Sequence, residues 1–75
     1  MQFARFLWRV NDRRAAWAER AICEFQMATN SDREDALCDL LTDLMHWSDR
    51  SGIPFWVSLE RAQFHYNAET APEPE

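Results

Sequence analysis

One glycine in 75 residues is the feature that most restricts how this chain can fold. A β-sandwich or barrel needs a turn every ten or so positions, and such turns draw on glycine for backbone angles closed to other residues. Gly52 alone cannot supply them. Helices need few such positions, so the expected fold class is all-α. The length allows one domain and excludes a second core. Hydrophobic residues make up 47% and aromatic residues 13% of the chain, too apolar a mixture for intrinsic disorder. No apolar run approaches the roughly 18 residues of a transmembrane span.

Hydrophobic spacing predicts a compact three-helix bundle, with helices over about 12–28, 32–50 and 54–69. The middle helix is the best specified. Ser31 and Glu34 have the spacing of a capping box, and Asp32, Glu34 and Asp35 place negative charge in the first turn. Leu37, Leu40, Leu41, Leu44 and Ser48 then recur on one side. Gly52 and Pro54 end the helix, since glycine takes the left-handed conformation and proline prevents continuation. Upstream, Asn11 suits an N-cap, and Ala18, Ala21, Ile22, Phe25 and Ala28 share a face with Trp17 at its edge. Phe3, Phe6, Leu7 and Val10 have helical spacing, which favours a short N-terminal helix over residues 2–10. Residues 1–69 form the domain, and 70–75 read as a disordered tail.

Charge is segregated. The chain has 13 acidic and 8 basic residues, a net charge of −5, and every basic residue is an arginine. Residues 1–20 hold five of these arginines against two acids, and the remaining 55 hold three against eleven acids. An acidic body repels a polyanion, so direct binding to nucleic acid is not expected. Arg5, Arg9 and Arg13 form a cationic edge if their segment is helical. That edge can meet an anionic surface, but pairing with the acidic second helix, of the same or a neighbouring chain, is the favoured reading. Cys23 and Cys38 lack the spacing of a zinc or redox motif and are expected as small buried thiols in a reducing cytoplasm. The N-terminal stretch has a charge inside its apolar run and no small-residue cleavage site, which argues against a secretory signal.

The third helix carries apolar residues on two opposite sides. Phe55, Leu59, Ala62 and Tyr66 form one stripe, and Val57, Phe64 and Ala68 form another, with Trp56 between them. A peripheral helix in a small bundle has one face to bury. Covering a Phe side chain is worth roughly 1.5–3 kcal/mol, so the second stripe needs a neighbour. Residues 2–10 folding back, a second copy of the chain, or a different protein would each provide one. Trp56, Val57 and Phe64 are therefore the candidate partner-binding residues, together with Asp35, Asp39 and Asp43 on the acidic side of the second helix.

No catalytic or metal site is expected. Asp39, Asp43 and His46 are spaced to converge, but acids opposite a leucine stripe usually form the solvated face of a helix. The Glu-x-x-Glu ligand pairs of all-α nucleotide pyrophosphatases do not occur. His46 and His65 can meet across two helices, yet no Gly-rich turn or strand-to-helix elbow supplies an oxyanion site. Trp47 and Tyr66 suit a core margin, where their polar atoms can find partners. No cofactor motif is written, and the chain reads as a non-enzyme.

The stretch from Asp39 to Trp47 (DLLTDLMHW), then Gly52, Phe55, Leu59, Arg61, Ala62, His65, Tyr66, Ala68 and Glu69, follows the pattern DLLxDLMHWxxxxGxxF…LxRAxxHYxAE. It resembles a group of small bacterial proteins of unassigned function met on phages and other mobile elements, over roughly residues 14–69. The resemblance carries no catalytic residue across. It implies a bacterial cytoplasmic setting in which small acidic helical proteins include anti-CRISPR and antirestriction inhibitors that occupy basic nucleic-acid grooves. The expected function is a protein-binding module of that type, directed at a nucleic-acid-binding defence complex. The alternative is a homodimeric structural or regulatory module with no such target.

Overall fold

A computed structural model of the chain describes the backbone of residues 2–72 and the side chains of residues 9–72. Three helices follow one another: α1 (Gln2–Thr29), α2 (Arg33–Ser51) and α3 (Phe55–Thr70). Among the described residues there is no strand, and the all-α three-helix bundle is the observed architecture.

The first helix differs from its expected boundaries. Residues 2–10 are helical but continue without a break into the rest of α1, so no separate N-terminal helix exists and the segment does not fold back. Asn11 is not an N-cap. Its side-chain amide instead donates to the backbone carbonyl of Glu69 at the end of α3, at 2.9 Å. Arg14 donates to the Asn11 side-chain oxygen at 3.2 Å and lies 3.7 Å from the Glu69 carboxylate. This polar clasp ties the last turn of α3 to α1, and the start of α1 runs on past it. At about 1.5 Å per residue a helix of this length spans about 42 Å, which matches the longest dimension of the molecule, 44 × 26 × 17 Å.

Local chemistry explains the two connections. Asn30 takes a left-handed φ of 58° and its N–H donates to the Gln26 carbonyl at 2.7 Å, an αL termination of α1. The Gln26 side chain then donates to the Ser31 carbonyl at 3.3 Å and pins the turn. The capping box does not form, because α2 starts one residue later than a Ser31 N-cap requires; the Ser31 hydroxyl instead donates to the Thr29 hydroxyl at 2.7 Å, which itself donates to the Phe25 carbonyl. Asp32 occupies the N-cap position in extended conformation with no side-chain cap bond. Gly52 ends α2 at φ 72°, as its position predicts, and the N–H groups of Gly52 and Ile53 both reach the Ser48 carbonyl. Pro54 stands at the N-cap of α3 rather than inside its first turn, and its carbonyl accepts from Ser58 at 3.2 Å.

Few of the described side chains are enclosed. Ala36 and Ser48 on α2 are buried, and Ile22, Phe25, Leu40 and Phe55 are half-buried. Ile22, Phe25, Leu40, Ser48 and Phe55 lie on the faces that the periodicity marks as inward; Ala36 is outside the expected leucine stripe, and Leu37, which belongs to it, is exposed. Ala18 and Ala21, expected on the packed face of α1, are exposed. Trp47 and Tyr66, expected at a core margin, are exposed as well. Cys23 and Cys38 are exposed free thiols rather than buried ones. The Cys23 sulfur lies on the Glu19 side of α1, 3.8 Å from its carboxylate. α3 ends at Thr70, and residues 73–75 of the expected tail lie outside the described residues.

Candidate protein-docking surface

The turn through Gly52 and Pro54 sets α3 against α2, and the Asn11–Glu69 clasp fixes its far end. Between these two anchors α3 has no buried residue. Its far side presents Trp56, Val57 and Phe64, which are 66%, 54% and 73% exposed. The Trp56 ring meets Phe55 edge to face, with centroids 5.3 Å apart and planes at 87°. That contact ties an outward indole to the half-buried Phe55 ring, and edge-to-face pairs of this kind hold a ring in place beyond what area alone provides. Phe64 meets His65 at 6.2 Å with planes at 75°. His65 is thus turned toward Phe64, and among the described residues no hydrogen bond joins it to His46.

Asp35, Asp39 and Asp43 are all exposed and fall four residues apart on α2, so they line one side of that helix. The structure does not bring them together with the α3 residues into one pocket. Asp35 lies in the first turn of α2, and Trp56 lies in the first turn of α3, beyond the opposite end of α2. Among the described residues no group of three His, Cys, Asp or Glu side chains is arranged to hold a metal ion. Arg9 and Arg13 make no ion pair with the acids of α2; Arg5 lies outside the described side chains.

One charged contact was not visible in the sequence. The Arg33 guanidinium, in the first turn of α2, approaches both carboxylate oxygens of Glu19 at 2.6 and 2.7 Å. The hydrogen bond from Arg33 holds the Glu19 carboxyl below the usual carboxylate range, with smaller help from the charge of Arg33 and from the Cys23 thiol. The same contact raises the Arg33 guanidinium. Glu19 and Arg33 are fourteen positions apart, so no helical spacing relates them.

No described helix is long and apolar enough to cross a membrane. The chain matches no protein-family model, no curated protein and no solved structure.

Proposed function

We propose that this chain is a non-enzymatic protein-binding module that docks through the outer face of α3, with the acidic side of α2 as a second contact. The exposure of Trp56, Val57 and Phe64 on a helix with no buried residue carries the reading. Aromatic side chains on a rigid helix make efficient anchors, because they cover large area at small cost in rotamer freedom. The row of Asp35, Asp39 and Asp43 suits a basic partner and disfavours nucleic acid itself. With the resemblance to mobile-element proteins, the partner proposed is a nucleic-acid-binding defence complex of a bacterial host, inhibited in the cytoplasm by occupation of its basic groove.

A plating assay tests this. Hosts armed in turn with RNA-guided and restriction defences are challenged with a targeted phage while the chain is expressed. The chain is expected to restore plating against at least one defence. The Val57→Asp/Phe64→Asp variant and the Asp35→Asn/Asp39→Asn/Asp43→Asn variant are each expected to lose that effect. Failure to restore plating against any of them, or undiminished protection by both variants, would overturn the proposal.

A further inference from the structure

Two rows of matching pitch stand unpaired on α1 and α2. On α1, Arg9, Arg13 and Trp17 follow one another four residues apart, and all three are exposed. On α2, Asp35, Asp39, Asp43 and Trp47 do the same. Each step rises about 6 Å along its helix. The rows therefore share one spacing and carry opposite charge. Each ends on an open indole, 56% exposed at Trp17 and 54% at Trp47. The half-buried Ile22 and Phe25 fall on the other side of α1 by helical rotation, so the arginine row faces outward.

The sequence favours pairing of the arginine edge with the acidic second helix, in the same or a neighbouring chain. Within one chain that pairing is not made. Among the described residues the ion pairs join Arg14 to Glu69 and Arg33 to Glu19, and neither row takes part in one. A complementary partner for each row is thus the other row on another copy. Rows at four-residue spacing run obliquely around a helix, and two helices crossing at about 50° set such rows alongside each other. In register, Arg9 meets Asp39, Arg13 meets Asp43 and Trp17 meets Trp47. Arginine forks match carboxylates in two-pronged pairs, and stacked or edge-on indoles add to the area they cover.

We infer that α1 of one copy binds α2 of a second copy through these rows, Arg9 and Arg13 to Asp39 and Asp43, with Trp17 against Trp47. The net charge of −5 opposes the approach of two copies. Residues 1–20, however, hold five arginines against two acids, so the local charge around the α1 row attracts the α2 row. Exposed ion pairs are individually weak and screened, which makes the association reversible and sensitive to salt. The outer face of α3 stays free, and the arginine row belongs to this contact alone.

Sedimentation of the full chain across a wide concentration range is the test. At low salt the expected result is a reversible species of at least twice 8.9 kDa. Its dissociation constant should rise at least about tenfold in about 1 M salt, where the screening length shrinks to about 3 Å. Arg9→Glu/Arg13→Glu and Asp39→Arg/Asp43→Arg should each weaken the association at least about tenfold, since each sets like charges against each other. All four side chains are exposed, so both variants should keep their helical circular dichroism. Mixed together, the two variants regain complementary rows and should associate as the wild type does. Val57→Asp/Phe64→Asp should leave the association unchanged. A wild type that stays at 8.9 kDa at every concentration would overturn the inference. Association indifferent to salt, or no recovery on mixing the two variants, would overturn it as well.

Discussion

The hydrogen bond from Asn11 ends on one of the last carbonyls of α3, a group with no intrahelical donor. Its removal leaves that carbonyl to water and frees the last turn of α3 from α1. Asn11→Ala should therefore lower stability by about 1 kcal/mol, read from the urea midpoint at unchanged slope. Glu19 contributes differently, through pH. Its carboxyl is held below the usual range in the folded chain, so the stabilisation is present above the unfolded value and is lost as pH falls through the folded one. The advantage of the wild type over Glu19→Gln should be present near neutral pH and shrink as pH falls below about 4. Urea midpoints of both proteins across that interval are the check. Added salt should shrink the same advantage at neutral pH, because both groups are exposed and screened.

At the level of the helix, Gly52 has the clearest single role. Its φ of 72° is costly for any residue with a Cβ, and a Cβ placed there would meet open space. The cost of Gly52→Ala is then backbone strain without a clash, and stability should fall by about 1–2 kcal/mol in thermal or urea unfolding. The end of α2 was legible for this reason, and the start of α3 to within one residue: Gly52 and Pro54 act locally, on their own backbone. The start of α1 was not. Asn11 has the chemistry of a cap, but its partner is Glu69, 58 residues away and invisible to local spacing. Ser31 and Glu34 misled by one position, since Asp32 rather than Ser31 stands at the N-cap and Glu34 then falls too early in the helix to close the box. Residues that bond to their own backbone can be read from sequence. Residues engaged by another element need the fold.

For the whole molecule, the two-sided pattern of α3 was legible because helical periodicity fixes direction, and the exposure of Val57 and Phe64 follows from it. The openness of the inward stripes was not legible, because spacing gives the side of a helix and says nothing of whether one chain suffices to cover it. The outer face makes a last prediction about stability. Val57 lies in the first turn of α3, which holds no acidic residue and has no side-chain cap. An aspartate there meets the positive end of the helix dipole, worth about 0.3–1 kcal/mol at an exposed site. Phe64 is exposed, and replacing a solvated ring removes little packing. Val57→Asp/Phe64→Asp should accordingly match the wild type to within about 0.5 kcal/mol or exceed it slightly in urea unfolding. Loss of partner binding in that variant then reports on the surface itself. A stability loss beyond about 1 kcal/mol would instead mean that both side chains are packed in the folded protein, and the outer face would no longer be free to dock.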